Sequence, residues 1–233
     1  MLYIIGLGLN EESITQEGLK AIKRCKEAYL ENYTVEFPYK VEELEKRIKK
    51  KVLMANRDFV ENFNVLETAK KDDVCLLVYG NPLTATTHIS LIQEAKKRGI
   101  EYIIIQNASI LDAIAETGLQ LYKFGKTTSL PNFEANSFIE TVKDNQKIGA
   151  HSLILIDIGM KFENAISRLE EAVKRKKLKI DKIVVCSRLG TKEGKIFYGT
   201  FNEIKDKEIQ TPFCFIISGK LHFMEEEILR SFS

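Results

Sequence analysis

The sequence predicts an α/β protein in two parts: a parallel sheet covered by helices, then a mixed sheet. Three observations predict it. Runs such as Val74–Gly80 (VCLLVYG) and Tyr102–Gln106 (YIIIQ) are apolar almost throughout, as strands buried on both faces must be. Helical apolar spacing fills the stretches between strands, so each strand is followed by a crossover and pairs in parallel. Toward the C-terminus, strand patterns follow one another through short polar loops, which brings in antiparallel pairing.

Taken in order, Leu2–Gly8 is the first strand and closes on the glycines of GLGL. Thr15–Cys25 carries Leu19, Ala21 and Ile22 at helical spacing, and Ala28–Tyr33 is a second strand. Val41–Lys50 is helical, with Val41, Leu44 and Ile48 on one face. Lys51–Ala55 and Val74–Gly80 are strands around a helix at Asp58–Lys70. A helix over Thr86–Arg98 ends at Gly99, a residue suited to the position just past a helix. Strand Tyr102–Gln106 and a capped helix at Ser109–Thr117 follow. In the second half, Ser152–Ile158 and Lys182–Ser187 are strands around a long helix that places Phe162, Ile166, Leu169, Ala172 and Val173 on one stripe. Lys195–Ile204 and Pro212–Ser218 complete the strands. No linker rich in Gly, Ser or Pro separates the halves. The boundary is placed at Asn107–Ser109, giving domains 1–108 and 109–233.

Composition narrows the function. A net charge of +2 gives no reason to expect direct nucleic-acid binding or docking on an anionic membrane. The apolar N-terminus MLYIIGLGLN lacks a preceding basic region and reads as a strand, so a cytoplasmic protein is expected. Cys25, Cys75, Cys186 and Cys214 have no metal-ligand or CxxC spacing and read as buried, reduced thiols. The basic runs KRIKKK (46–51) and KRKKLK (174–179) fall at helix C-termini, where cations complement the dipole; docking on an acidic partner is the alternative.

Candidate sites lie at strand ends. GLGL (6–9) lacks the third glycine of a dinucleotide fingerprint, so a close approach to a ligand and a plain chain turn explain it equally. GNPLTATTH (80–88) supplies Gly80, Asn81 and Pro82 at a carboxyl strand end, where open α/β sheets bind ligands, followed by three threonines. A turn with a helix cap accounts for one threonine; ligand contact accounts for more. His88, His151 and His222 have no second ligand at metal spacing; His151 reads as structural, while the other two are open between a structural role and a cleft border.

Several segments together resemble the diphthine synthases: GLGL (6–9), LENYT (30–34), GNPLTATTH (80–88), the Ser109–Ile110 pair, GLQLYKFGKTTSLP (118–131), LIDI (155–158) and SGKLH (218–222). These are S-adenosylmethionine methyltransferases of the tetrapyrrole-methylase-like class. The resemblance spans nearly the whole chain. It implies a two-domain tetrapyrrole-methylase-like fold, a homodimer, and S-adenosylmethionine bound in the cleft between domains. It also implies methylation of the amino group of a modified histidine on translation elongation factor 2, in the pathway to diphthamide. The implied cofactor contacts are Leu9, Asn81, Thr84 and the Ser109–Ile110 pair, with Ile156, Leu189 and Phe213 contributed from further along the second domain. The departure is Asn81, which stands where the family's Gly-Asp-Pro-Leu-Val motif has an acid, and so removes a negative charge near the sulfonium.

A sulfonium methyl is already activated, so the chain must position an amine in line with it and need not supply a nucleophile. A free amino group of pKa about 8 is partly neutral near neutral pH, and no catalytic residue or metal is assigned. Two other readings stay open: a methylase of the same class acting on a corrin or porphyrin precursor or on ribosomal RNA, and a nucleotide-binding module without chemistry.

Overall fold

Five parallel strands organise residues Met1–Leu111, the first of the two units into which the chain divides; the second is Asp112–Ser233. The computed structural model describes all residues, 1–233. In the first unit the elements are β1 (Leu2–Gly6), α1 (Gln16–Arg24), β2 (Glu27–Glu31), α2 (Val41–Ile48), β3 (Leu53–Ala55), α3 (Arg57–Glu61), α4 (Asn64–Ala69), β4 (Val74–Val78), α5 (Ile89–Lys97), β5 (Tyr102–Ile105) and α6 (Ile110–Ala113). The strands lie in the order β3-β2-β4-β1-β5.

Side chains alternate along each strand, and both faces are apolar, so each needs a cover. Leu2, Ile4, Leu76 and Val78 pack with Val60, Val65, Leu66, Leu91 and Ala95, from α3, α4 and α5. Tyr3, Ile5, Cys75 and Leu77 face the other way, onto Ala21, Ile22, Leu44 and Ile48 of α1 and α2. Each fully buried Leu or Ile contributes about 1.5–3 kcal/mol of transfer free energy. The Thr15 hydroxyl accepts the Gly18 N–H and starts α1, an N-cap of the kind that contributes about 1 kcal/mol.

Three predicted helices differ from the sequence reading; the one expected over Ser109–Thr117 is α-helical only over Ile110–Ala113 and tightens to a 3-10 turn over Ile114–Thr117. The stretch Asp58–Lys70 is broken into α3 and α4 by Phe63, whose φ of 62° is left-handed. Both pieces still turn apolar residues toward one core, which is why the periodicity runs through the break. The helix expected from Thr86 begins at Ile89, and its N-cap residue His88 makes no side-chain cap bond. The threonines therefore do not cap it: Thr86 Oγ1 donates to the Pro82 carbonyl at 2.9 Å, and Ala85 takes φ 56°. Gly99, at φ 64°, does end this helix.

The second unit contains β6 (Thr128–Leu130), α7 (Ser137–Lys147), β7 (Ser152–Ile156), α8 (Phe162–Arg175), β8 (Ile183–Ser187), β9 (Lys195–Gly199), α9 (Phe201–Ile204), β10 (Phe213–Ile217) and α10 (Phe223–Arg230). Its sheet runs β6-β7-β10-β8-β9, with β6 and β7 parallel and the other pairs antiparallel. The last strand of the sequence is thus the middle strand of the sheet. One face packs Ile154, Val185, Phe213, Phe215 and Ile217 against α7 and α8. The strand expected over Lys195–Ile204 stops at Gly199, because Thr200 and Glu203 form a capping box that opens α9.

The four cysteines are free and buried. Cys186 lies directly opposite Cys214 across β8 and β10, and contact with that thiol together with burial pushes its pKa well up. No helix is long and apolar enough to cross a membrane.

Candidate functional site

The carboxyl ends of β1, β4 and β5 lie side by side, and the loops that leave them are joined by backbone. Gly8 and Gly80 exchange hydrogen bonds, the Gly8 N–H donating to the Gly80 carbonyl at 3.1 Å and the Gly80 N–H returning to Gly8 at 2.9 Å. Both glycines are left-handed, at φ 73° and 69°. Gly6 serves a different need. A Cβ there would stand 2.7 Å from the Gly80 carbonyl oxygen, 2.9 Å from Pro82 Cδ and 2.9 Å from Asn107 Cβ. The sequence leaves open whether these glycines only turn the chain; the close approach of three loops shows that they let backbone meet backbone.

Asn107 ties the loops together. Its amide donates at 3.0 Å to the carbonyls of Gly6 and Ser13, and its Oδ1 accepts the Ala108 N–H at 2.8 Å. Asn81 does the same between β4 and β5: its Nδ2 donates to Gln106 Oε1 at 2.5 Å and to the Asn107 carbonyl at 3.0 Å, while Oδ1 accepts the Leu83 N–H at 3.1 Å. An aspartate could not donate the first two bonds. The amide at position 81 thus has a structural reason of its own in this chain. Thr84 is half-buried one turn further on, with its N–H on the Asn81 carbonyl at 3.2 Å. Leu9 and Ser109 are buried; Ile110 is half-buried and opens α6. Five of the predicted residues, Leu9, Asn81, Thr84, Ser109 and Ile110, therefore gather on one edge of this sheet.

Sequence reasoning left His88 open and missed the other groups at this edge. Tyr79 donates its hydroxyl to the Leu9 carbonyl at 2.9 Å. Its ring packs edge-on against Phe37 at 5.4 Å and lies 6.5 Å from Tyr39. The Tyr39 hydroxyl is buried without a hydrogen-bond partner; burial, then Tyr79 and Glu11, push its pKa far above the ordinary phenol value. His88 is buried, with Nδ1 2.9 Å from the Pro82 carbonyl, so that nitrogen carries the proton and Nε2 is left buried and unpartnered. At the tip of β2 the Glu31 carboxylate is fully buried; it accepts the N–H groups of Tyr33 and Thr34, both at 2.9 Å, and the Thr34 hydroxyl at 2.7 Å. Burial, then Glu31, raise the neighbouring Tyr33 hydroxyl to about 12. The aromatic spacing of ENYTVEFPY was the one available signal for this corner.

In the second unit the remaining three predicted residues also share a sheet edge. Phe213 begins β10, paired with Ser187 at the end of β8, and Ile156 ends β7, the antiparallel neighbour of β10. Leu189 follows Arg188, which is held at φ 50° by its N–H on the Pro212 carbonyl and its Nε on the Thr211 carbonyl, both 2.8 Å. The motifs LYKFGK and SGKLH meet elsewhere in this unit, on Glu225. That carboxylate accepts the His222 N–H at 2.7 Å, the Gln120 N–H at 2.9 Å, the Lys123 ammonium, and His151 Nε2 at 3.1 Å. Burial alone would raise its pKa; these donors outweigh it and hold it at about 2. His151 Nδ1 accepts the Gly219 N–H at 2.9 Å, and burial lowers its pKa despite Glu225. His151 is structural, as its sequence context predicts, and the backbone N–H of His222 belongs to the same network.

A parallel sheet with glycine turns gathered at its carboxyl edge, followed by a mixed sheet, is the architecture of one methylase class. The chain belongs to the tetrapyrrole (corrin/porphyrin) methylase family, whose model matches residues 1–205. Across an alignment of 249 residues it is 40% identical to the diphthine synthase of Methanococcus vannielii, covering 99% of this chain and 98% of that one. It is 36% identical to the diphthine methyl ester synthase of Schizosaccharomyces pombe, covering 100% of this chain and 94% of the relative. A crystal structure of diphthine synthase superposes with a TM-score of 0.92 at 32% identity, covering 100% of this chain and 95% of the other. Likeness of this extent places the chain with the diphthine synthases, a group of S-adenosylmethionine-dependent methyltransferases.

Proposed function

We infer that this chain methylates the amino group of the aminocarboxypropyl-modified histidine of translation elongation factor 2, and that Leu9, Asn81, Thr84, Ser109, Ile110, Ile156, Leu189 and Phe213 hold S-adenosylmethionine. The observation that supports the site is the Gly8–Gly80 backbone bridge, which joins the loop bearing Leu9 to the loop bearing Asn81 and Thr84. The residues suit the cofactor chemically. Leu9 and Ile110 offer aliphatic walls to a planar base, and the Thr84 and Ser109 hydroxyls suit a ribose or amino-acid group. Asn81 braces the loop from beneath and brings no charge to the sulfonium. When bound, S-adenosylmethionine would supply an activated methyl group to the amine's lone pair, leaving S-adenosylhomocysteine, with the amine's proton lost to water. The protein's part is to orient the amine and exclude competing water, which is worth several kcal/mol.

Diphthine synthase identity over the full chain favours this substrate over a corrin, a porphyrin or ribosomal RNA. Action as a homodimer in the cytoplasm belongs to the same proposal. The test is to incubate the protein with labelled S-adenosylmethionine and elongation factor 2 carrying the modified histidine, and to locate label by mass spectrometry. Label on nitrogen survives mild alkali and supports the reading. Label removed by alkali marks a methyl ester, the product named for the fission-yeast relative, and no label overturns the reading.

A further inference from the structure

We propose that Phe37, Tyr39 and Tyr79 form a receptor for the substituted ammonium group of the methyl acceptor, placed beside the cofactor loops. This inference rests on the methyltransferase reading and deepens it.

The three rings form a triangle, with Phe37 5.4 Å from each of Tyr39 and Tyr79 in near-perpendicular orientation and the two tyrosines 6.5 Å apart. All three are half-buried; Phe37 and Tyr39 pack on the core, and Tyr79 directly follows β4 at the carboxyl edge. The trio touches the site directly, through the Tyr79 hydroxyl on the Leu9 carbonyl. A purely structural cluster leaves one feature unexplained. The Tyr39 hydroxyl is buried and makes no hydrogen bond, an omission that typically costs about 1–3 kcal/mol. The carboxyl of the acceptor's aminocarboxypropyl group, arriving at this corner with the ammonium, would accept a hydrogen bond from that hydroxyl.

Charge points to a cation. Glu11 stands close enough to Tyr39 to oppose ionisation of its phenol. A carboxylate beside ring faces favours a positive guest.

Methyl transfer to an amine, once or repeatedly, suits such a surface. Each transfer puts positive charge on the nitrogen and replaces one N–H by a methyl, so a receptor made of hydrogen-bond acceptors loses its grip step by step. Ring faces attract the cation with no N–H at all, and so serve the first methylation and the last alike.

The test uses two small probes of nearly equal shape: trimethylglycine, which carries a quaternary ammonium, and 3,3-dimethylbutanoate, in which an uncharged tert-butyl group replaces that ammonium beside the same carboxylate. Each is titrated into the full-length protein with and without S-adenosylhomocysteine, and binding is followed by ligand-observed NMR. The expectation is a preference of about tenfold for trimethylglycine, lost in Phe37→Leu and in Tyr39→Leu while S-adenosylhomocysteine binds these variants as it binds the parent. Equal binding of the probes, or a preference that survives both substitutions, overturns the proposal. The comparison of probes on the unaltered protein needs no variant to fold. Because no transfer is measured, failure here is distinct from failure of label to reach elongation factor 2.

Discussion

Gly6 offers a direct test of how the site is built. In Gly6→Ala the new Cβ would lie 2.7 Å from the Gly80 carbonyl oxygen and 2.9 Å from both Pro82 Cδ and Asn107 Cβ. Ordinary contacts begin near 3.4 Å, so the neighbouring loops must retreat by roughly 0.5 Å each, overpacking that costs about 1–3 kcal/mol. The two loops that retreat are those carrying Asn81 and Thr84 on one side and Ser109 and Ile110 on the other. If a comparable energy is withdrawn from cofactor binding, affinity falls about tenfold to a hundredfold. Gly99→Ala is the control: its φ of 64° is also left-handed, but nothing lies within 4 Å of the added carbon. That variant should lose about 1 kcal/mol of stability from backbone strain and no cofactor affinity. Calorimetric titration with S-adenosylhomocysteine, alongside urea unfolding, separates the two effects. Unchanged affinity in Gly6→Ala, with stability reduced, would refute the claim that this glycine sets the spacing of the cofactor loops.

Three further outcomes follow from the geometry. Thr84→Arg should abolish cofactor binding with the far-ultraviolet circular dichroism unchanged; parental affinity would remove residue 84 from the site. Asn81→Asp turns a donor into a carboxylate facing Gln106 Oε1 and the Asn107 carbonyl, so unfolding free energy at pH 7 should fall by about 1–3 kcal/mol. The deficit should shrink as pH falls, because a protonated carboxyl can donate again; a deficit that is flat with pH contradicts this. Glu225 has a folded pKa of about 2 against 4.5 for the free group, so its charge contributes about 3 kcal/mol above pH 4.5, lost as pH falls from 4.5 toward 2. Glu225→Gln should give up about that much at pH 7, read from urea midpoints; a loss below about 1 kcal/mol would count against the network.

Much of the first unit was legible because local chemistry and tertiary environment agree there. Apolar runs between helical stripes define β1, β4 and β5, and GLGL and GNPLTATTH mark their ends. The second unit was harder. The three-residue strand β6 is too short for a period to register, and α7 and α10 went unread. The threonines of TATT looked like helix caps because the sequence cannot say which hydroxyl meets a free N–H. Here Thr86 turns back to Pro82 and the helix starts three residues later than Thr86.

The amino-acid sequence by itself determined the alternation of elements, the glycines at strand ends and the family motifs, since each depends on residues near one another in the chain. Tertiary structure alone decided that Gly8 bonds to Gly80, that Asn81 clamps Gln106 and Asn107, that Glu225 joins LYKFGK to SGKLH, and that Phe37, Tyr39 and Tyr79 meet. These pairings form when sheet register brings distant segments within a hydrogen bond or a ring contact, a distance that no local periodicity encodes.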